Sequence, residues 1–506
     1  MCSSKYSFFL HSLYIGGMHM DSQSSRSCEQ EKEKFTPVFL NFKQNYNYIS
    51  RKFNHTEDLQ KQILPVAKHK LSLIYLETMI DEQQLQEKIM TPIQQLQNTN
   101  NLLSALRKTT IGIQSLANLT QAMQALVEGA VLIFVDHASI MLSVNIKKST
   151  LRSITEPTSE KIIKGAHDGF IEDIDTNINV IRNRLKNPNL TLRYYQTTSD
   201  SSKKSALLFL NNVAPPACIE KIDKRLKKVS TNQTAPSFIE ELIQDFPLSP
   251  FPQILNTERP DRVVGNLLEG RAVVLEDQNP NALIMPVNFF SFYQSPDDYH
   301  SRWLVGSFFR FIRLLGFFIT IFLPALYIAV IGFHFEVLPD PLLLPIKKSI
   351  QGIPYPPLVE ALIMEIILEL IREAGIRLPT TIGQTIGIVG GLVIGDAVVK
   401  AGLISNTMIV VVALTAIASF VVPSNEMSNS IRLIRFGFML AAAIIGLPGI
   451  VFTFIILIIH LCQLDSFGCP YFYPIAPFHS SNLQDTLIRK PTFFQFLHSK
   501  EGKHEK

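Results

Sequence analysis

The stretch Ile382-Gly383-Gln384-Thr385-Ile386-Gly387-Ile388-Val389-Gly390-Gly391-Leu392-Val393-Ile394-Gly395-Asp396-Ala397-Val398-Val399 places glycine at every fourth position: Gly383, Gly387, Gly391 and Gly395. On a helix these positions lie along one narrow stripe, and a stripe of glycines lets a neighbouring backbone approach closely, a feature of helices that pack on one another in a membrane. The stretch is only marginally apolar, so it is expected inside a bundle rather than against lipid. It is not read as a nucleotide-binding loop, because Gly387 to Gly391 follows no soluble strand and no ribose-binding acid is suitably placed.

Three further apolar stretches surround it. Residues 314–333 and 436–459 are each long enough to cross a bilayer core of about 30 Å, and 403–422, closed by Pro423, is a third candidate span. Residues 436–459 hold fifteen Ile, Leu, Val or Phe, which at roughly −0.4 kcal/mol each favours insertion by about −6 kcal/mol. Between the spans, 358–377 reads as a helix bearing Glu360, Glu365, Glu369 and Glu373. Carboxylates at about +2.5 kcal/mol or more each cancel its apolar gain, so it does not face lipid as an ordinary span. Loop charges nevertheless favour a crossing: with five crossings Arg302, Arg310, Arg313, Arg372, Arg377, Arg432 and Arg435 fall on one side and Lys347, Lys348 and Lys400 on the other, whereas four crossings move Arg432 and Arg435 across. Both constraints are met if Glu365 and Glu369 face a water-filled space enclosed by several helices or subunits. That space would be a cation path, with Val389 and Val393 as apolar gate candidates, since rings of valine close a pore by dewetting. The competing reading is an interfacial helix with its glutamates on the wet side and a Glu373–Arg377 pair on its surface.

The half before residue 300 is charged and soluble in character. Ile174, Ile178, Ile181 and Leu185, and again Ile219, Ile222, Leu226 and Val229, lie on single helical faces. Short apolar runs at 130–135, 190–195, 206–210, 272–275 and 282–285 read as strands. The expected fold is therefore an α/β region, cytoplasmic and built as two subdomains, followed by an α-helical multi-span membrane domain. The two subdomains are suggested by an internal repeat: Leu126-Val127-Glu128-Gly129 leads through an apolar strand to Asp136, and Leu268-Glu269-Gly270 leads likewise to Asp277, with seven positions from Gly to Asp in both. A helix stopped by Gly, then a strand, a turn and a strand, fits each copy. The expected boundaries are a variable segment 1–40, subdomains 41–145 and 146–300, a membrane domain 301–461 and a tail 462–506.

A net charge of +4 and the absence of a long basic run with interleaved aromatics argue against nucleic acid as a partner. Lys221, Lys224, Arg225, Lys227 and Lys228 are read as a solvated helix face. Cys2, Cys28, Cys218, Cys462 and Cys469 are odd in number and scattered, suggesting neither a disulfide framework nor a zinc site. The N-terminus is a poor secretory signal, and Met18 and Met20 are candidate starts.

Several pieces, in order from about residue 125 to 477, resemble the A-subunit family of bacterial spore germination receptors, the GerA family. They are Ile154-Thr155-Glu156-Pro157 with Gly169-Phe170 and 177–184; Ser249-Pro250-Phe251-Pro252-Gln253 with Thr257-Glu258-Arg259-Pro260-Asp261; Leu268-Glu269-Gly270-Arg271; Asp297-Asp298-Tyr299; Arg372-Glu373-Ala374-Gly375-Ile376-Arg377-Leu378-Pro379; and Ser466-Phe467-Gly468 with Pro470-Tyr471. Ala166, His167 and Gln278 depart from the pattern, and the first 60 residues match weakly. The resemblance implies a receptor subunit in the spore inner membrane that assembles with a transporter-like B subunit and a lipoprotein C subunit. It also implies a homo-oligomer among membrane lipids that answers small nutrients by releasing ions. It implies no cofactor, metal or catalytic residue, and no GxSxG, HExxH or phosphate-cradling GK[ST] in a soluble context stands against that. The alternatives are a stand-alone transporter, for which matching inverted repeats are expected, and a scaffold subunit without its own pore.

The glycine stripe yields a direct test. Leucine at Gly387 or Gly391 is expected to abolish assembly of the complex or lock it, while Ile388→Leu is tolerated, as read by native-size chromatography of the solubilised protein. Unchanged assembly and germination with leucine at both glycines would remove the packing role.

Overall fold

Two antiparallel sheets of five strands follow one plan. The computed structural model describes residues 36–66, 69–95, 112–136, 138–148, 157, 160, 165–196, 204–230, 239–378, 395–478, 486, 488 and 489. In the first half, α1 (Phe42–Lys52), β1 (Leu59–Val66), β2 (His69–Leu76), β3 (Ile113–Leu116), α2 (Leu119–Val127), β4 (Ala130–Val135) and β5 (Met141–Asn145) give the spatial order β1-β2-β4-β5-β3. The second half contains α3 (Ile174–Leu185), β6 (Leu190–Gln196), β7 (Lys204–Leu210), α4 (Pro216–Ser230), β8 (Leu255–Thr257), α5 (Pro260–Leu268), β9 (Ala272–Glu276) and β10 (Ala282–Met285). Its order, β6-β7-β9-β10-β8, is the first order with each strand number raised by five. The repeated Glu-Gly sequence marks the same joint in both: α2 and α5 end just before Glu128 and Glu269, and Gly129 and Gly270 then take φ of +89° and +88°. That left-handed backbone suits glycine, and a Cβ on Gly270 would lie 2.9 Å from the Val213 carbonyl oxygen.

The strands alternate side chains between two covered faces. Leu132 and Phe134 of β4 pack with Ile49 and Phe53 around α1 and with Leu119 and Leu126 of α2, while Val131, Ile133 and Val135 pack on the other face with Leu71, Leu73, Ile89 and Ile93. In the second sheet Leu208, Val273, Leu275 and Ile284 meet Ile178 and Ile181 of α3 and Leu267 of α5. Its opposite face, Leu207, Phe209 and Val274, meets Ile219, Ile222 and Leu226 of α4.

A buried polar knot ties the halves together. Asp58 and Arg182 form a 2.7 Å ion pair with side chains 0% and 4% exposed. Thr56 Oγ1 and Thr78 Oγ1 donate to the Asp58 carboxylate at 2.7 and 2.9 Å, and Asn179 Nδ2 donates to the Thr78 carbonyl at 2.7 Å.

The chain then runs through α6 (Pro296–His300), α7 (Trp303–Phe333), α8 (Asp340–Ile350), α9 (Pro357–Arg377), α10 (Gly395–Lys400), α11 (Asn406–Phe420), α12 (Asn425–Ile445) and α13 (Leu447–Gln463). Among the described residues, Trp303–Phe333 and Asn425–Ile445 are long and apolar enough to cross a membrane, and Asn406–Phe420 and Leu447–Gln463 are apolar but shorter. The stretch 314–333 lies inside α7, which begins about three turns earlier, and 403–422 and 358–377 coincide closely with α11 and α9. Within 382–399, Gly383, Gly387, Val389, Gly391 and Val393 lie outside the described residues, while Gly395 opens α10.

The stretch 436–459, expected as one span, is the end of one helix and most of a second. Ile445 ends α12, Gly446 turns the chain at φ +76° and ψ −143°, and Pro448, which has no N–H to give, sits in the first turn of α13. Because α12 starts at Asn425, capped by Ser424, Arg432 and Arg435 lie within a helix and not in the loop expected for them.

Side-chain contacts set the direction of each helix. α7 leaves the sheets and ends beside the turn, where a Cβ on Gly446 would be 3.0 Å from His334 Nε2 and 3.2 Å from Phe333. α12 starts at the sheet end, where Ser430 Oγ donates to the Pro250 carbonyl, and α13 returns there, where His460 Nε2 is 2.9 Å from Ser249 Oγ. α11 descends from Ser405, bonded to Tyr327 OH at 3.0 Å, to Ala418, whose carbonyl oxygen would lie 3.0 Å from a Cβ on Gly316. α9 descends beside it, from Glu360, which accepts from Ser405 Oγ at 3.0 Å, to Arg372, stacked 5.4 Å over the Phe420 ring. The segment after α13, with β11 (Asp465–Ser466) and β12 (Cys469–Pro470), packs on the second sheet: Ser466 Oγ donates to the Gln253 carbonyl at 3.0 Å and Tyr471 OH to the Pro252 carbonyl at 2.7 Å. Residues 464–472 and the sheets therefore share one end of the bundle.

The α12–α13 hairpin depends on glycine where the start of α13 passes the backbone of Ala441 in α12. A Cβ on Gly449 would collide with the Ala441 carbonyl, whereas one on Gly437 would meet nothing within 4 Å among the described residues beyond its own helix backbone. Gly449→Val is expected to destabilise the bundle by about 1–3 kcal/mol or more, and Gly437→Ala to be neutral or stabilising by up to about 1 kcal/mol. Thermal unfolding of the detergent-solubilised chain measures both.

Candidate functional site

Among the described residues, opposite charges cluster at two buried places along the bundle. The first is the joint between the second sheet and α7. Pro296 starts the short α6, and Asp298, 1% exposed, accepts from the Ser295 N–H at 3.2 Å. The same carboxylate holds Arg310 Nε at 3.2 Å and Arg313 Nη1 at 2.7 and 2.8 Å, both from the first turns of α7. Arg489 of the tail donates to the Asp298 carbonyl at 2.7 Å and to the Ser301 carbonyl at 2.6 Å. Gly306 lets the backbone close, since a Cβ there would lie 2.8 Å from the Asp298 carbonyl oxygen. A carboxylate held by two guanidiniums in a dry site is strongly oriented, because removing it would strand both cations.

The second place is at mid-depth of the bundle. Glu365 of α9 and Arg435 of α12 form a 2.5 Å ion pair with side chains 1% and 2% exposed. Glu369, one turn along α9, lies 3.7 Å from Arg435 and 3.4 Å from Arg432. At about 1.5 Å per residue, Arg435 sits some 15 Å from the start of α12 and Glu365 some 12 Å from the start of α9. The four side chains sum to zero charge. Within one chain Glu365 thus faces a guanidinium and not an open space, while Glu369, 38% exposed, reaches the edge of the cluster. Glu373 and Arg377 form the exposed i,i+4 pair expected of them, at 2.6 Å.

A cavity of about 320 Å³ opens beside α5 and the strap 291–296 that leads into α6. Its two arginines are already engaged, Arg262 with Glu160 at 2.5 Å and Arg271 with Glu269 at 3.4 Å, and no nucleophile–base pair lines it. Among the described residues no group of three or more His, Cys, Asp or Glu is placed to hold a metal ion.

The sequence pattern described as "Bacillus/Clostridium GerA spore germination protein" matches residues 47–500. The chain belongs to the GerA family. Spore germination protein KA of Bacillus subtilis (strain 168) is 37% identical over 472 residues, covering 92% of this chain and 87% of that protein. Spore germination protein B1 of the same organism is 39% identical, covering 85% and 90%, and the uncharacterized membrane protein YfkQ is 38% identical, covering 83% of each. The crystal structure of the N-terminal domain of the A subunit of the Bacillus megaterium spore germinant receptor GerK3 aligns with 50% of this chain and 98% of that one, at 26% identity and a TM-score of 0.39. Membership ties the chain to spore germination.

Several of the motif residues that carry the GerA resemblance hold loops and helix ends in place. Arg259, fully buried, donates through Nε and Nη2 to the Asp261 carboxylate at 3.1 and 2.6 Å and through Nη2 to the Ala166 carbonyl at 3.0 Å, pinning the loop before α3. Pro260 opens α5 and Glu258 supplies the carbonyl that accepts from the Phe170 N–H at 2.8 Å. Pro157 is buried, and Glu156 lies outside the described residues. Sequence reasoning missed the roles of Asp298 and Arg435: both were visible as charged residues, but their partners are set by how α6 meets α7 and how α9 meets α12.

Removing one member of the mid-depth pair should cost far more than removing both. Arg435→Ala is expected to lower stability by about 3–5 kcal/mol by stranding the Glu365 carboxylate, and Glu365→Leu combined with Arg435→Met to recover most of it. Glu373→Ala, which opens only an exposed pair, should cost under about 1 kcal/mol. Chemical unfolding of the solubilised chain gives the three values.

Proposed function

We propose that the chain is the A subunit of a nutrient-responsive spore germination receptor, and that its helical bundle crosses the spore inner membrane and forms or gates an oligomeric ion path. The supporting observation is the Glu365–Glu369–Arg432–Arg435 cluster. Four charges at mid-depth of an apolar bundle are costly, and in membranes such groups pair and mark ion pathways. In this reading the α/β region is cytoplasmic, because Arg302, Arg310 and Arg313 precede the first crossing, and residues 464–472 stay on the same side. A transporter-like B subunit that recognises nutrient and a lipoprotein C subunit complete the receptor. Motion of the second sheet reaches α7 through the Asp298 joint, and a shift of α7 that carries α12 along α9 would draw Arg435 from Glu365 and expose charge to the path. Val389 and Val393 remain the gate candidates on the glycine-striped helix.

A scaffold subunit without its own pore is the second reading, and one observation favours it: all four charges of the cluster are paired within a single chain. Conductance separates the two. In liposomes holding the assembled receptor, Val393→Ala is expected to leak ions without nutrient, and Glu365→Gln with Glu369→Gln to lower cation over anion selectivity by several-fold. Parental conduction and gating in both variants would leave the scaffold reading standing.

A further inference from the structure

Cys218, in the first turn of α4, and Cys469, in β12, are 251 positions apart in sequence, yet their Sγ atoms lie 3.6 Å apart. Cys218 is 6% exposed and Cys469 is half-buried, so the pair sits at the rim of the core and Cys469 is its open side. Its setting is the clasp that keys the end of α13 to the second sheet. Phe467 is buried among Ile219, Ile222 and Leu226 of α4, its N–H donates to Asp245 Oδ2 at 2.6 Å, and Ser466 Oγ accepts from the Val287 N–H at 3.1 Å. Every contact in that clasp is non-covalent.

We propose that Cys218 and Cys469 form an oxidation site, a dithiol that a hydroperoxide converts to a disulfide, bonding the clasp covalently. A disulfide at about 2.05 Å requires the sulfurs to approach by roughly 1.5 Å from their 3.6 Å separation, the size of a side-chain adjustment. Cys218 is the attacking sulfur. A hydrogen bond from Cys469 stabilises its thiolate, outweighing burial, with Lys221 adding to the effect, so its thiol is held below the usual range, while the same hydrogen bond and burial raise Cys469. The α4 N-terminus also favours negative charge there.

The chemistry balances. The Cys218 thiolate attacks one peroxide oxygen, the O–O bond breaks, hydroxide leaves and Cys218 becomes a sulfenic acid. Cys469 then attacks Cys218 Sγ, the S–O bond breaks, and the Cys469 proton leaves with the hydroxyl as water. Overall two thiols are oxidised by two electrons and hydrogen peroxide is reduced to two waters. The bond would fix residue 469 to α4 and thereby hold the end of α13 against the second sheet. Nothing in this step depends on whether the bundle conducts ions.

The test uses the full chain in detergent or lipid nanodiscs, treated with hydrogen peroxide in small molar excess, alkylated, digested without reduction and read by mass spectrometry. The expected product is one linked pair of peptides carrying Cys218 and Cys469, two hydrogens lighter than the free pair, reversed by dithiothreitol. It should persist in Cys462→Ser and vanish in Cys469→Ser. The proposal is overturned if Cys218 and Cys469 remain alkylatable while the exposed Cys462 is oxidised, or if the link appears only after denaturation. Wild-type mapping alone decides the matter should a variant fail to fold.

Discussion

Asp298 is the constraint from which the rest of the arrangement follows. A carboxylate taken out of water costs several kcal/mol unless it is paired and hydrogen-bonded, and here both conditions are met by Arg310, Arg313 and the Ser295 N–H. Because those arginines are three residues apart on α7, the pairing fixes which side of that helix faces the second sheet. Arg489 and the close approach of Gly306 add backbone contacts to the same point. The second sheet therefore cannot rotate without carrying the start of α7 or breaking a buried ion cluster.

The two halves of the α/β region share a topology and differ in what surrounds it. Both faces of the first sheet are closed by clusters confined to that half. On the second sheet one cluster runs on without a break from Val273 and Ile284 through Phe289 to Phe317 and the bundle helices, and the other takes in Phe467 from the tail. The first half meets the second at the Asp58–Arg182 knot. One plan thus recurs in two settings, one copy sharing its core with the bundle and the other closed by its own helices.

How much of this was legible in sequence depended on the range of the interaction that decides each element. Strands buried on both faces, β4 and β9, read clearly because every residue is apolar or nearly so, and α3 was legible as a helix because Ile174, Ile178, Ile181 and Leu185 keep one face. β1 was missed because alternate exposure leaves it Gln60, Lys61 and Gln62, and β8 because it has only three residues. The break at Gly446 carried a local signal, Gly-Leu-Pro-Gly, but total apolarity over 436–459 outweighed it. Partners 251 positions apart, as with Cys218 and Cys469, or placed by a helix crossing, as with Glu365 and Arg435, leave no local trace at all.

The mid-depth cluster also gives the carboxylates of 358–377 partners on a neighbouring helix. Taken alone, α9 carries carboxylates that an apolar surround does not tolerate, and α12 carries two guanidiniums with the same difficulty; taken together the charges cancel. Each helix therefore depends on the other for its place in the bundle. The spacing is specific, since α9 descends while α12 ascends and Arg435 and Arg432 meet Glu365 and Glu369 in that order. A slide of α12 by one turn, about 5.4 Å, toward the far end would bring Arg432 to Glu365 and carry Arg435 up toward Ala361, which has no charge to offer. Glu369 would then lose the guanidiniums that now reach it, so the quartet favours a single register of the two helices.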